Sequence, residues 1–147
     1  MPMPDAGSLY RRTRDTLGRL DVRPRRSLGQ NFLVASPVVE RIVAAARATG
    51  RVVVEIGPGL GALSDALAAI AGELFLVEID ARMAERLQER FATVANVHVV
   101  AADALAVDYS KLLAGRGRAV AVGNLPYSVG SQILLRLIEA GASFERL

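Results

Sequence analysis

The sequence predicts a doubly wound α/β fold, in which a parallel β-sheet carries helices on both faces. From residue 51 onward, short apolar runs rich in β-branched residues alternate with stretches of helical periodicity. Continuous apolar runs are typical of strands buried on both faces, and their alternation with helices indicates a parallel sheet. A glycine-rich loop directly follows the first run, as expected where a strand turns tightly into a helix.

Each element can be assigned from the order of these patterns. Strands are predicted over 52–56, 74–79, 97–100 and 119–122. Helices are predicted from apolar residues at helical spacing and from capping signals such as Ser8 and the Ser36-Pro37 pair. They cover residues 8–20, 36–50, 61–71, 81–92 and 130–140, and residues 104–116 form a less regular segment.

The last predicted strand lacks neighbours. The run 119–122 is as apolar as a central strand, yet one helix follows it before Leu147. A flat apolar strand at a sheet edge invites aggregation. We therefore interpret the chain as the N-terminal fragment of a longer protein, truncated after the fourth strand, whose reading frame continues past Leu147. Residues 1–26 are predicted to form a basic arm, and residues 27–147 the first part of the main domain.

Composition excludes several function classes. The chain has no cysteine, which excludes disulfide frameworks and thiol nucleophiles, and its single histidine, His98, makes a Ser-His-Asp triad or a zinc site unexpected. No apolar run approaches the roughly 20 residues of a membrane span, and the N-terminus does not resemble a signal peptide. We expect a soluble, cytoplasmic protein without a metal, monomeric when full length.

The positive charge lies in the N-terminal arm. Residues 1–26 carry seven arginines and three aspartates, whereas the remainder carries 11 basic and 12 acidic residues. Arg23, Arg25 and Arg26 suit phosphate contact, because a guanidinium is a planar, permanently charged donor. A solvated helix face is the open alternative. A mitochondrial transit peptide is disfavoured because aspartates interrupt the basic stretch.

The glycine-rich loop predicts a nucleotide-type pocket. It runs from Glu55 through Gly57 and Gly59 to Ala62, and glycines there allow a ligand close to the backbone while the next helix offers unpaired N–H groups. The string also satisfies the dinucleotide pattern G-x-G-x-x-G/A, with Glu78 at the distance of a ribose-binding acid. A nicotinamide dehydrogenase and a purely structural turn therefore stay open at this point.

Acidic residues follow the next two strands. Glu78 ends the second strand, where a carboxylate can accept both hydroxyls of a ribose, and Asp80 is predicted to cap the following helix. Asp103 follows the third strand, where it could accept the exocyclic amine of an adenine. A second helix cap is the alternative for Asp103.

The fourth strand ends in Gly-Asn-Leu-Pro-Tyr. An adenine amine is a poor nucleophile because its lone pair is delocalised, so alkylation requires acceptors such as the Asn124 carbonyl and the backbone carbonyl of Leu125 or Pro126. Tyr127 offers a face on which a flipped-out base can stack. Such a reaction needs orientation and electrostatic positioning rather than a metal. A strand-end turn with a core tyrosine is the alternative.

Together these motifs resemble one family. The order and spacing of SLGQNFL (27–33), EIGPGLGAL (55–63), VEID (77–80), ADAL (102–105) and GNLPY (123–127) are similar to those of the small-subunit rRNA adenine N6,N6-dimethyltransferases. The resemblance covers residues 8–147 and implies a Rossmann-like class I S-adenosylmethionine-dependent methyltransferase fold. Leu125 points to the rRNA branch, and the Leu28-Gly29-Gln30 start favours small-subunit enzymes over large-subunit methylases.

The resemblance implies roles for particular residues. The cofactor would be S-adenosylmethionine, with Asn124 between cofactor and base, and Asn124, Pro126 and Tyr127 would form the catalytic motif. Ser64 and Ser128 stand where the family usually has Thr and Asn. The remaining cofactor contacts would come from Gln30, Asn31 and Leu33 on the N-terminal side, Glu55, Gly57 and Gly59 near the methionine part, Glu78 at the ribose and Asp103 at the adenine.

The implied function is dimethylation of two adjacent adenosines near the 3′ end of small-subunit rRNA, on the immature small ribosomal subunit. The family's later strands and small helical domain for RNA recognition have no counterpart in the 147 residues. A large-subunit rRNA adenine methylase, a non-catalytic rRNA-binding assembly factor and a nicotinamide dehydrogenase are the alternatives.

Overall fold

A computed structural model describes residues 36–125 and 127–147 of the chain. The predicted helix over 8–20, the arginines of the arm, Gln30, Asn31, Leu33 and Pro126 lie outside the described residues.

The described residues form a five-stranded parallel sheet with helices on both faces. The strands lie in the order β3-β2-β1-β4-β5. Their bounds are Val52–Ile56 (β1), Glu73–Glu78 (β2), Val97–Ala101 (β3), Ala119–Gly123 (β4) and Phe144–Arg146 (β5). The helices are Ser36–Ala46 (α1), Ala62–Ala68 (α2), Ala81–Arg90 (α3), Tyr109–Leu112 (α4) and Gly130–Glu139 (α5), followed by a 3-10 turn over Gly141–Ser143. The doubly wound α/β prediction is confirmed.

Side-chain hydrogen bonds lie at the ends of two helices, and one of the two was predicted from the sequence. Asp80 Oδ1 accepts the N–H groups of Arg82 (3.0 Å) and Met83 (3.4 Å), so its predicted role as the cap of α3 is confirmed. Helix α2 ends earlier than predicted, and Asn96 Nδ2 donates to the carbonyls of Ala68 and Ala71 just beyond it (both 3.1 Å). The irregular segment after β3 contains one short helical turn, α4.

A fifth strand corrects the predicted strand count. β5 pairs in parallel with β4, so the apolar run 119–122 has neighbours on both sides. The sequence signal was weak, because Phe-Glu-Arg is short and mostly polar. Arg118 donates to the backbone carbonyls of Gly141 and Phe144, and Arg51 forms an ion pair with Glu145. These contacts hold the short strand to the sheet.

Apolar side chains fill both faces of the sheet. On one face, Val53 and Leu76 pack with helices α1 to α3, and on the other Val54 and Phe75 pack with α5 and the segment around Tyr109. Since successive strand residues point to opposite faces, this explains why the runs are continuously apolar. No helix in the described part of the chain is long and apolar enough to cross a bilayer.

The strand order places a crevice at the carboxyl edge of the sheet. β1 has β2 on one side and β4 on the other, so the chain reverses its direction of winding beside β1. Ligands of open parallel sheets bind at such switch points. The loops after β1, β2, β3 and β4 meet there.

Candidate functional site

The glycine-rich loop after β1 depends on left-handed backbone conformations. Gly57, Gly59 and Gly61 have φ values of +66°, +56° and +82°, which favour glycine. The Gly57 N–H donates to the carbonyl of Val77 (2.9 Å), so the first residue of the loop is still hydrogen-bonded to the end of β2. A side chain at Gly57 would meet nothing within 4 Å. The loop therefore presents backbone to an open space.

Glu78 lies under this loop at the end of β2. Its carboxylate accepts the Gly59 N–H at Oε2 and the Asp80 N–H at Oε1, both at 2.9 Å. The residue is buried, and desolvation raises the pKa of its carboxyl above the ordinary value, although the two backbone donors act against that rise. The predicted ribose-binding acid thus also holds the glycine-rich loop, a contact that the sequence does not predict.

Glu55 lies behind the loop rather than in the pocket lining. Its side chain is fully buried, and Ser64 Oγ donates to its Oε2 at 2.7 Å. Burial raises the pKa of Glu55 to about 8, and the neighbouring Glu78 adds to the rise. Ser64 uses the hydroxyl that a threonine would also supply at this position. Direct cofactor contact by Glu55 stays a prediction.

Arg90 fastens the loop from helix α3. Its Nη1 donates to the Leu60 carbonyl (2.8 Å), and Nη2 pairs with the carboxylate of Asp65 in α2. The side chain also lies against Gly61, where an added Cβ would stand 3.2 Å from Nη1. No sequence signal marks this residue as part of the site, since an arginine near the end of an amphipathic helix is ordinarily part of its solvated face.

A pocket of about 140 Å³ opens beside the loop. Its lining is mostly apolar and includes one carboxylate, Asp103, which is exposed. Asp103 Oδ1 accepts the Leu105 N–H (2.9 Å), and the residue caps a turn rather than an α-helix. The other lining residues come from the ends of β1 and β2, from the segment after β3 and from the start of α5: Ile56, Gly57, Val77, Ile79, Ala102, Ala104, Leu105, Val129 and Ile133.

Residues after β4 stand next to the same edge. Asn124 is half-buried directly after the strand. A Cβ on Gly123 would lie 3.0 Å from the Ile56 carbonyl, so the end of β4 packs closely against the end of β1. Tyr127 is 95% exposed. The alternative of a core tyrosine is therefore wrong, because the ring is presented to solvent.

Most of the predicted site residues that the structure describes lie at the carboxyl edge of the sheet. Glu78 ends β2, and Gly57, Gly59, Asp103, Asn124 and Tyr127 follow strands, whereas Glu55 is buried within β1. A family model described as ribosomal RNA adenine dimethylase matches residues 22–146 of the sequence. The chain belongs to the ribosomal RNA adenine dimethylase family. The predicted family resemblance is thereby confirmed.

Curated relatives of this rRNA adenine dimethylase family member carry a consistent name. The "Ribosomal RNA small subunit methyltransferase A" of Acidobacterium capsulatum is 48% identical over 120 residues, covering 81% of this chain and 42% of the relative. The protein of the same name from Moorella thermoacetica is 47% identical over 124 residues, covering 78% of this chain and 43% of the relative. The chain thus spans less than half the length of these relatives.

Solved structures confirm the Rossmann-like class I methyltransferase fold of this family member. The 23S rRNA methyltransferase ErmE is 33% identical with a TM-score of 0.67, covering 76% of this chain and 44% of that one. A dimethyladenosine transferase from Plasmodium falciparum is 26% identical with a TM-score of 0.63, covering 78% and 40%.

Proposed function

We propose that this dimethylase family member transfers methyl groups from S-adenosylmethionine to the N6 atoms of two adjacent adenosines near the 3′ end of small-subunit rRNA. The immature small subunit in the cytoplasm is the proposed substrate. One observation carries the proposal: the glycine-rich loop, Glu78, Asp103, Asn124 and Tyr127 lie at the carboxyl edge of the sheet, around its switch point, in a chain of this family.

The residues of the pocket fit S-adenosylmethionine. Gly57 has open space beside it, so the methionine part can approach the backbone. Each Glu78 oxygen accepts one backbone N–H and keeps further acceptor capacity for ribose hydroxyls. Ile79, half exposed, offers an apolar surface for a purine ring, and Asp103 offers an acceptor for its amine. Gln30, Asn31 and Leu33 are proposed to complete the site from the N-terminal side.

The residues of the chain contribute to methyl transfer mainly by orienting the reactants. The bound cofactor would supply an electrophilic methyl group. The Asn124 side-chain carbonyl accepts an N–H of the target amine, which turns the nitrogen lone pair away from the ring and toward the methyl group. The exposed Tyr127 ring stacks on the extruded base. Holding both reactants in line in this way can remove a large part of the barrier.

The preference for the small subunit rests on the relatives' names. Curated relatives at up to 48% identity are named small-subunit methyltransferases, whereas ErmE, named a 23S rRNA methyltransferase, is 33% identical. The Leu28-Gly29-Gln30 start supports the same choice. A large-subunit target is the second candidate, because the fold accommodates both.

The decisive experiment combines the protein with immature small subunits and S-adenosylmethionine labelled in its methyl group. We expect label on the N6 atoms of two adjacent adenines, and loss of labelling with Asn124→Ala. Label on large-subunit rRNA in a parallel reaction, with none on the small subunits, would instead assign the second candidate. A folded protein that binds small subunits without transferring methyl groups would be an assembly factor. Calorimetric binding of NAD in place of S-adenosylhomocysteine would identify a dehydrogenase.

A further inference from the structure

A tight turn after β3 forms one wall of the pocket. The Asp103 carbonyl accepts the N–H groups of Ala106 (2.9 Å) and Val107 (3.2 Å), and the Asp103 carboxylate accepts the Leu105 N–H. We refer to residues 103–107 as the wall turn. Because Asp103 is its first residue, the position of this turn fixes the position of the carboxylate that faces the pocket.

Arg136 connects the wall turn to helix α5. Its Nη2 donates to the Val107 carbonyl at 2.9 Å, and its Nε donates to the Leu105 carbonyl at 3.3 Å. Arg136 follows Ile133 by about one helical turn, and Ile133 also lines the pocket. One side chain therefore joins two of the elements that line the pocket.

Tyr109 supports this connection from beneath. The Arg136 guanidinium lies 5.6 Å from the centroid of the Tyr109 ring, within the range of cation–π attraction. The Tyr109 hydroxyl donates to the Ala104 carbonyl at 2.8 Å, so the same buried ring also holds the wall turn directly. Three carbonyls of the wall turn are thus held by two side chains outside it.

We propose that Arg136 is a positioning residue for the adenine side of the cofactor site. It keeps Asp103 at a fixed distance from α5, and therefore from Asn124 and Tyr127, which precede that helix. Asp103, which accepts the cofactor amine, then keeps a fixed position relative to Asn124 and Tyr127, which receive the target base. The inference rests on the proposed function, since it takes the pocket as the adenine side of that site.

A purely structural role for Arg136 makes a different prediction. Arg118 offers the comparison, because it also donates to two backbone carbonyls, those of Gly141 and Phe144, but beside β5 and away from the pocket lining. If arginine–carbonyl contacts here contribute stability alone, Arg118→Met and Arg136→Met will behave alike toward ligands.

The test measures binding of S-adenosylhomocysteine and of S-inosylhomocysteine, in which a 6-oxo group replaces the 6-amino donor, by calorimetry. For Arg136→Met we expect the preference for the amino compound to fall on the order of tenfold, as for loss of one hydrogen bond to a charged group. Arg136→Lys should fall in between, and Arg118→Met should keep the preference. Amide hydrogen exchange at Ala106 and Val107 should accelerate in Arg136→Met without ligand.

An unchanged preference in a folded Arg136→Met protein would overturn the inference, because accelerated exchange by itself is also the result expected of a purely structural role. If that variant does not fold, Tyr109→Phe, which removes the hydrogen bond to Ala104, decides it by the same two measurements. A wild-type protein that binds neither compound would overturn the proposed function. The exchange data alone then show whether the wall turn depends on Arg136.

Discussion

Glu78 accepts the backbone N–H of Gly59, a residue 19 positions earlier, at 2.9 Å. The same carboxylate accepts the Asp80 N–H, so one buried side chain joins the end of β2, the glycine-rich loop and the start of α3. A ligand that hydrogen-bonds to Glu78 therefore meets an acid whose orientation is already set. Affinity benefits from this arrangement because little ordering remains to be done on binding.

Replacing Glu78 should reduce the free energy of cofactor binding more than it reduces the free energy of unfolding. Glu78→Ala removes the proposed ribose acceptor and releases the Gly59 N–H, so we expect S-adenosylhomocysteine to bind at least about tenfold more weakly. Asp80→Ala is the matched control, because it removes the α3 cap at a cost of about 1 kcal/mol but leaves the Glu78 contacts in place. Calorimetry and urea unfolding of both variants separate the two effects.

The buried Glu55 should make stability depend on pH. Its pKa is raised from 4.5 to about 8, so between these values the folded protein retains a proton that the unfolded chain has released. Stability therefore falls as pH rises from about 4.5 to about 8, and this group adds no further fall above that range. Urea unfolding across the range measures the slope.

Glu55→Gln should flatten that slope. The amide carbonyl can still accept the Ser64 hydroxyl, and the variant should gain stability on the order of a few kcal/mol at the alkaline end. Glu85→Gln, on the exposed face of α3, is the control and should leave the slope unchanged. A slope identical in both variants would contradict the buried-acid explanation.

Two glycines with the same backbone conformation allow strain to be separated from ligand contact. Gly57 and Gly50 have φ values of +66° and +70°, and an added Cβ meets nothing within 4 Å at either. Gly57→Ala and Gly50→Ala should thus each cost about 1 kcal/mol of stability. Gly57 alone of the two lines the pocket, so its alanine variant should also lose S-adenosylhomocysteine binding. Equal affinities would place the ligand elsewhere.

Tyr127→Ala should slow methyl transfer without loss of stability. The ring is 95% exposed, so unfolding free energy should change by less than about 0.5 kcal/mol. Loss of base stacking should slow single-turnover transfer about tenfold or more, while S-adenosylhomocysteine affinity stays the same. Tyr127→Phe should retain the rate. A variant that lost cofactor affinity but kept the transfer rate would refute the stacking role.

The basic arm should make RNA association sensitive to salt. If Arg23, Arg25 and Arg26 contact phosphates, replacing all three by glutamine should reduce the slope of log affinity against log salt by about one per contact. Lys111→Gln, a change at an exposed side chain of α4, is the control. Filter binding to an rRNA fragment over a salt series gives both slopes. An unchanged slope would favour the alternative, in which these arginines lie on a solvated helix face and contact no phosphates.

Four strands and the placement of the site acids were predictable because each had a local signal. Buried parallel strands must be apolar on both faces, and an acid or amide directly after such a run must lie at the carboxyl edge. Glu78, Asp103 and Asn124 were located in this way. Asp80 was assigned to a cap for a similarly local reason.

The contacts that hold the site were not predictable. Arg90 and Arg136 donate to backbone carbonyls about 30 residues away, and every residue carries a carbonyl, so the acceptor leaves no mark in the sequence. β5 was missed because Phe-Glu-Arg is too short to form an apolar run. Its position beside β4 is held by the burial of Phe144 and by contacts from Arg118 and Arg51. The hydrogen bond from the Gly59 N–H to Glu78 depends on the left-handed backbone conformation of the loop. The glycines in the sequence permit that conformation but do not show which way the loop turns.

The contact between Arg90 and the Leu60 carbonyl has a practical consequence for protein engineering. The glycine-rich loop is not a self-sufficient unit, because it is held by a residue of the third element that follows it, helix α3. A graft of residues 55–63 into another scaffold would carry the ligand-facing backbone without its fastening. A transplant that extends to the end of α3 would bring Glu78, Arg90 and the loop together as one unit.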